Sequence, residues 1–417
     1  METNYDKIGQ HCEVFSGYAF KSQDLLSEGD IPVVKIGNIS NGKDILIDKD
    51  TQYVDKKFLS INDKYHIKKG DVLISLTGSH INQPNSMVGR SCRYYQDQVL
   101  LLNQRAGKLL PKGNNDLSFL YYVFSLWAMK VSITNRAYGA ANQANISPSD
   151  ILNIKFHFPD YKNQKKIGFI LSRYDEAIEN NNKRIKLLEQ MAQNLYKEWF
   201  VRFRFPGYEN CEFENGIPVG WNYVKFEDIL SFERGISYSS EEIECDDGLN
   251  LINLKNIDAF GGFRRDGTKK YNGKYKENQV VIKGDLVVGV TDMTQDRRTV
   301  GAVALIPTLQ GLSVISADLV KVISDISNVY LYSLCRYGFY SKYFSQFANG
   351  ANVLHLKPSA LLNKKVLLPS KELIDSYVKK ASVMIDLIDE LNLANENLAK
   401  QRDLLLPRLM SGKLDVR

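Results

Sequence analysis

Two stretches of the chain carry apolar residues at helical spacing over many turns. From Ile167 the positions Ile167, Leu171, Tyr174, Ile178, Asn181, Ile185, Leu188, Ala192, Leu195 and Trp199 follow in alternating steps of four and three. Adding 210 to each number gives Tyr377, Ala381, Met384, Ile388, Leu391, Asn395, Leu398, Arg402, Leu405 and Leu409, a second run of the same period. That alternation is the seam of a coiled coil, because it holds one stripe of side chains on one face of a slightly supercoiled helix. A helix of about 35 residues spans roughly 50 Å. Its apolar stripe is costly in water, so the two helices are expected to pack on each other, antiparallel if the molecule has a pseudo-twofold axis. Asn181, Asn395 and Arg402 interrupt the stripe. Polar seam residues weaken such a pair while fixing its register and partner; the alternative is that they face solvent where the seam opens.

Elsewhere the pattern is shorter. Residues 1–160 and 206–370 read as mixed α/β lobes, in which VVKIGNI, DVLISLT, VGRSCRYY and QVLLLNQ have the β-branched and aromatic content of strands between Gly, Asn and Asp turns. FLYYVFSLWAMKVSI (119–133) and VYLYSLCRYGFYSKYF (329–344) read as buried helices. Ser147, Pro148 and Asp150 suit the cap, first position and first turn of another helix, whereas the second lobe keeps Pro358 but has Lys357 at the cap. FRFPGYENCEFENGIPVGW (203–221) reads as an exposed crossover linker. The expected fold is α+β: two pseudo-symmetric mixed α/β lobes (1–160 and 206–370) joined by two long helices (161–205 and 371–417) packed as an antiparallel coiled coil.

The lobes repeat each other. IPVVKIGNIS (31–40) returns as LNLINLKNID (249–258), aligning Asn38 with Asn256; KKGDVLISLTG (68–78) returns as IKGDLVVGVTD (282–292), aligning Asp71 with Asp285 and Thr77 with Thr291. NISPSDILNIKFHFP (145–159) returns as HLKPSALLNKKVLLP (355–369). A period near half the chain builds a pseudo-twofold molecule and not a solenoid, whose repeats are much shorter. Double-stranded DNA is the commonest pseudo-twofold partner. A net charge of +6 and a pI near 8.8 are compatible with an acidic partner without requiring one. Five scattered cysteines without a CxxC pair indicate neither a disulfide framework nor a zinc site. The polar start METNYDKIGQ and the lack of long apolar runs point to a cytoplasmic protein with no membrane partner.

Catalytic and cofactor motifs are missing. The chain has no phosphate-binding P-loop, no GxGxxG, no HExxH and no Asn/Asp-Pro-Pro-Tyr adenine pocket, and its five histidines do not recur between lobes. What recurs are backbone-shaping glycines, asparagines and prolines. The expectation is a non-catalytic reader without cofactor or metal.

Base readout needs amide and guanidinium groups, and phosphate contact needs Lys, Arg, Ser and Thr. The loops after the repeated GD strands, 78–86 and 292–298, share a place but not a sequence, as expected if each lobe reads different bases. Candidates there are Thr77, Ser79, Asn82, Gln83, Asn85 and Arg90 in the first lobe, and Thr291, Thr294, Gln295, Arg297 and Arg298 in the second; the alternative is an ordinary polar hairpin tip. Small residues in 138–145 and 348–355 would let backbone approach DNA, bringing in Asn142, Gln143, Asn352 and Lys357; a structural turn explains them equally well. In the third pair, SGYAFKS (16–22) and RGISYSS (234–240), a structural role is expected for the glycine and aromatic, and phosphate contact for Lys21, Ser22 and Ser240. Asn38 and Asn256 are expected to form turns.

Two tandem α/β lobes each followed by a heptad helix, GDVLIS-like strands and the F-P-G…G-I-P-x-G-W junction together resemble the specificity subunit of type I restriction-modification systems, over essentially the whole chain. The resemblance implies that the lobes are target-recognition domains reading the two halves of a bipartite, asymmetric DNA site. It implies that the helices, with Ile178, Asn181, Ile185, Leu188, Leu195, Ile388, Leu391, Asn395, Leu398 and Leu405 at their seam, set an unread spacer and dock two methyltransferase (M) subunits. Those subunits would methylate adenine with S-adenosylmethionine, and motor-nuclease (R) subunits would join for cleavage with ATP and Mg. None of that chemistry would reside in this chain. Rival readings are a single-chain modification enzyme, which lacks its motifs, and a coiled-coil scaffold with two protein-binding lobes, whose binding would not fall steeply with salt as DNA binding does.

Overall fold

The computed structural model describes residues 5–39, 44–81, 83, 86–140, 143–243, 247–294 and 296–416. Contacts divide the chain into two compact units, Met1–Asn181 with Ala394–Arg417, and Asn182–Leu393. Each unit therefore holds one lobe and a segment of each long helix.

In the first unit one antiparallel sheet runs in the order Cys12–Ser16, Ala106–Pro111, Val72–Ser75, Ser91–Arg93. A second sheet runs Gln52–Val54, Ile31–Val34, Leu100–Leu102, His66–Ile67, with its two middle strands parallel. The second unit repeats both orders. Its sheets run Ser231–Arg234, Leu319–Ile323, Leu286–Gly289, Val303–Leu305, and Lys269–Tyr271, Leu249–Ile252, Ser313–Ile315, Val280–Val281, again with the middle pair of the latter parallel.

The repeated residues hold the same bonds in each unit. Asn38 accepts from the Lys35 backbone N–H at 2.8 Å and donates to the Leu46 carbonyl and Thr51 Oγ1 at 2.8 and 3.0 Å. Asn256 accepts from the Asn253 N–H at 3.0 Å and donates to the Arg264 carbonyl and Thr268 Oγ1 at 2.9 and 2.8 Å. Both form turns: a buried amide with every group bonded holds a loop shut. The Asp of the repeated Gly-Asp caps its own turn and reaches a lysine on the neighbouring strand, Asp71 to Lys108 at 3.2 Å and Asp285 to Lys321 at 2.8 Å. Gly17 and Gly235 are required by crowding, since a Cβ there would sit 2.3 Å from the Asn103 carbonyl oxygen and 2.1 Å from that of Ser316.

Three expectations need correction. VVKIGNI is a strand only to Val34 and then a 3-10 turn over Ile36–Ile39, the turn that Asn38 fastens. The helix expected at 119–133 is two, Leu117–Ser125 and Trp127–Thr134, bent by 71° where Leu126 is extended. That at 329–344 is also two, Asn328–Tyr337 and Tyr340–Ser345, broken at Gly338 and at Phe339, which has φ +65°. The linker is largely exposed, as expected, yet its aromatic residues are anchored. Trp221 packs on Phe203 and Phe205 at ring distances of 5.3 and 5.7 Å, and Asn215–Gly216, both at positive φ, turn a hairpin between Phe213–Glu214 and Ile217–Pro218.

The two long helices cover Tyr161–Tyr196 and Lys371–Met410, here the central and distal helix. The central one continues as a π-helical turn, Lys197–Val201, that buries Trp199 and Phe200. Every seam position read from the sequence is buried or half-buried. In the first unit Ile167 and Leu171 share a core with Leu406, Leu409 and Met410 and with Phe119, Leu120 and Val123 of the lobe. In the second, Ala192, Tyr196 and Trp199 share one with Ile374, Tyr377 and Ala381. Each fully buried Leu or Ile contributes about 1.5–3 kcal/mol, so the helices and each lobe form one core. Within the first unit Asp175 pairs with Arg402 and Asn181 with Asn395, so the two segments run antiparallel.

Candidate nucleic-acid interface

Two loops far apart in sequence meet in each unit. In the first, the hairpin Tyr138–Ala140 with Gln143–Asn145 adds a third strand, Thr77–Gly78, through the pairs Ala144 with Gly78 and Asn145 with Thr77. In the second, Leu354–His355 pairs with Thr291–Asp292 in the same antiparallel sense. The loop after the Gly-Asp strand and the loop before the short proline-led helix are thus hydrogen-bonded neighbours, twice over. Ser147 caps that helix in the first unit, accepting from the Asp150 N–H at 3.1 Å, whereas the helix Ser359–Leu362 has no side-chain cap.

The two loops are closed by different chemistry. In the first unit Ser79 Oγ donates to the Gln83 carbonyl at 2.7 Å and lies 2.8 Å from Ser86 Oγ, while backbone bonds link Ser79 to Ser86 and Val88. In the second the clamp is Asp292, 2% exposed. Its Oδ1 accepts from the Thr294 N–H and hydroxyl, both at 2.8 Å, and its Oδ2 from the Thr299 and Val300 N–H groups at 2.7 and 3.3 Å. Burial pushes the Asp292 pKa up, but the Thr299 and Thr294 N–H donors outweigh it and hold the carboxyl below its ordinary range. Sequence reasoning paired this aspartate with Gly78 and missed its role.

The candidates separate into two groups. Thr77, Ser79, Arg90 and Thr291 are all under 8% exposed. Thr77 Oγ1 donates to Asn145 and Thr291 Oγ1 to Asp318, both at 2.8 Å, and the Arg90 guanidinium binds the Met87 and Ile36 carbonyls at 3.1 and 3.3 Å. Expected at the surface, these four are inside, because each satisfies a buried backbone or side-chain group that the loops would otherwise leave bare. Gln83, Gln143, Thr294, Asn352 and Lys357 are exposed on the loop pairs. Arg297, half-buried at φ +53°, donates to the Ser345 and Gln346 carbonyls at 3.4 and 3.1 Å, and Arg298 pairs with Asp296. Lys21, Ser22 and Ser240 are exposed on the separate turns that follow the Gly17 and Gly235 crossings. Asn82, Asn85, Asn142 and Gln295 lie outside the described residues.

Exposed apolar side chains on these loops had not been read from the sequence: Tyr138 is 61% exposed and Met293 77%. Their hydrophobicity gave no hint, since the same residue types fill the core. Among the described residues no group of three or more His, Cys, Asp or Glu could hold a metal ion, and no single helix is long and apolar enough to cross a membrane.

Residues 2–190 match the family described as the type I restriction modification DNA specificity domain. The chain is 24% identical over 400 residues to the type I restriction enzyme MjaIX specificity subunit of Methanocaldococcus jannaschii, an alignment covering 93% of this chain and 88% of that one. Over most of its length the chain is similar to the specificity subunits of type I restriction enzymes. A second such subunit of the same organism, MjaVIII, is 24% identical over 375 residues, covering 87% of this chain and 83% of its own. The crystal structure of the type I restriction-modification S subunit from M. genitalium has the same fold, with a TM-score of 0.60 at 15% identity over 100% of this chain and 98% of that one. The matched domain is described as one of DNA specificity, and the relatives are named as specificity subunits of type I restriction enzymes.

Proposed function

We propose that this chain is the specificity subunit of a type I restriction-modification complex, that it reads a bipartite, asymmetric DNA site, one half with each lobe, and that it directs adenine methylation by two M subunits and cleavage by R subunits that join them. The observation that carries the reading is the duplicated loop pair. The same two loops meet by the same strand pairing in each lobe, yet present different exposed side chains: Gln83, Gln143 and Tyr138 in one, Thr294, Asn352, Lys357 and Met293 in the other. One scaffold with two reading edges suits two unrelated half-sites. Amides there can bind adenine edges bidentately, and an exposed methionine can meet a thymine methyl. At ~1.5 Å per residue the central and distal helices are about 54 and 60 Å long; in this reading their length sets the unread gap, and their outward faces dock the M subunits. S-adenosylmethionine, ATP and Mg belong to those partners.

The test changes one lobe at a time. The double substitution Thr294→Ala/Asn352→Ala, in complex with the M subunits, is expected to relax or alter one half of the methylated motif and leave the other intact. Each lost base contact should cost about 1–3 kcal/mol of discrimination at its own position. A change in both halves, or in neither, would contradict the assignment of one half-site to each lobe.

A further inference from the structure

The duplicated halves differ most sharply along the helix seam. Distal numbers lie 210 above their central counterparts. The pair Asn181 and Asn395 of the first unit therefore corresponds to Leu391 and Ile185 in the second, and the pair Asp175 and Arg402 to Ile385 and Ala192. In the first unit Asn181 Nδ2 donates to Asn395 Oδ1 at 2.9 Å. Arg402 Nη1 donates to Asp175 Oδ1, and the other oxygen of Asp175 takes the Tyr122 hydroxyl at 2.5 Å. Asp175 is only 8% exposed, so its charge depends on those partners. In the second unit Leu391 is 6% and Ala192 2% exposed, with Ile385 packed on the same core as Ala192. The first unit's seam thus carries two polar pairs among its apolar residues, and the matching positions of the second unit are apolar.

We propose that these four polar residues make each helix incompatible with itself, so that the central helix accepts the distal helix but not the central helix of a second copy. Duplicated halves of like length and period could otherwise pair either way. Placed in the same antiparallel register, two central helices would set Asn181 against Ile185 and Asp175 against Ala192, each mismatch twice because the pair is twofold. Two distal helices would set Asn395 against Leu391 and Arg402 against Ile385, again twice. Such pairs set half-buried amides, a buried carboxylate or a half-buried guanidinium against apolar side chains, whereas the central–distal pair bonds Asn181 to Asn395 and Asp175 to Arg402. Single polar seam residues choose partners in coiled coils by this penalty. The consequence is that two copies do not exchange helices into assemblies with two like lobes, and each assembled pair of helices carries one lobe of each kind.

The experiment uses the full chain, folded intact and then nicked at a protease site placed in the exposed Asn215–Gly216 turn. Nicked protein with light and heavy isotopes is mixed, exchange is driven with urea until heavy–light pairs equilibrate, and the pairs are counted by native mass spectrometry. The native sequence should give central–distal pairs only, with like–like pairs below about 1 in 100. Asp175→Ile/Asn181→Leu/Asn395→Ile/Arg402→Ala, which copies the second unit's residues into the first, should move the mixture toward the random ratio of about 1:2:1. If that variant does not fold, Asn181→Leu/Asn395→Ile alone should raise the like–like pairs at least about tenfold. The charge swap Asp175→Arg/Arg402→Asp should keep central–distal pairing. Like–like pairs from the native sequence, or strict central–distal pairing in the foldable apolar variant, would overturn the proposal. So would like–like pairs from the charge swap.

Discussion

Asp292 is the place where a single carboxylate holds the loop after the second Gly-Asp strand closed. Replacing it with asparagine keeps the shape but leaves one acceptor atom where there were two. The least costly arrangement turns the remaining oxygen toward the Thr299 and Val300 N–H groups, because Val300 is 1% exposed and has no water to turn to. The two bonds from Thr294 are then lost, and the inward pair loses its charge assistance, which roughly doubles the strength of such bonds. Thr294 is exposed and can be rehydrated, so the local cost should be about 2 kcal/mol. Alanine leaves both inner N–H groups without an acceptor and should cost about 4 kcal/mol. Amide hydrogen exchange at Val300 measures this opening directly. At 1.4 kcal/mol per decade, exchange should quicken about 30-fold in Asp292→Asn and approach 1000-fold in Asp292→Ala. The pH dependence has a definite sign. The folded pKa of Asp292 is depressed, so its contribution is complete above the ordinary aspartate value near ~3.9 and is lost as pH falls through the lower folded value. Native protein should lose protection at Val300 in that acid range, and the asparagine variant should show no matching step. Exchange in both variants within about threefold of native would refute the clamp.

Two other substitutions probe the scaffold. Gly235→Ala puts a methyl group 2.1 Å from the Ser316 carbonyl oxygen, where only backbone can yield. It should cost about 3 kcal/mol, roughly 6–12 °C in melting temperature for a unit of this size, whereas Gly37→Ala, with open space around it, should stay within about 2 °C. Asp389 is buried, which raises its pKa, but the Thr308 hydroxyl and N–H and the Arg265 guanidinium outweigh that and depress it. Asp389→Asn should destabilise the second unit by about 3 kcal/mol at pH 7, and the gap in urea midpoint from native protein should hold from pH 8 to about 5 and close below about 4.

The seam was legible because a heptad stripe is a long-range regularity: every seam position, Ile167 through Trp199 and Tyr377 through Leu409 in steps of four and three, is buried or half-buried. The turn-forming roles of Asn38 and Asn256 were legible for a similar reason, since the duplication repeats the same bonds with different neighbours. The candidate loops were harder. A threonine or arginine beside a loop looks the same in sequence whether it faces water or braces backbone, and Thr77, Arg90 and Thr291 brace backbone or neighbouring side chains. Nor does local propensity show that a helix will break at Leu126 or Phe339, because tertiary packing overrides it. The meeting of Thr77–Gly78 with Ala144 and Asn145 is a long-range strand pairing that local patterns do not encode.

The most direct test of the account is the methylation pattern this chain imposes. Co-expressed with its M subunits, it should produce adenine methylation at one split motif, two short and unlike specific halves around a fixed unread gap, mapped across a host genome by single-molecule sequencing. A continuous or symmetric motif would contradict the assignment of a different half-site to each lobe. No new methylation, with the M subunits shown to be bound, would contradict the role of the chain as the complex's reader of DNA sequence.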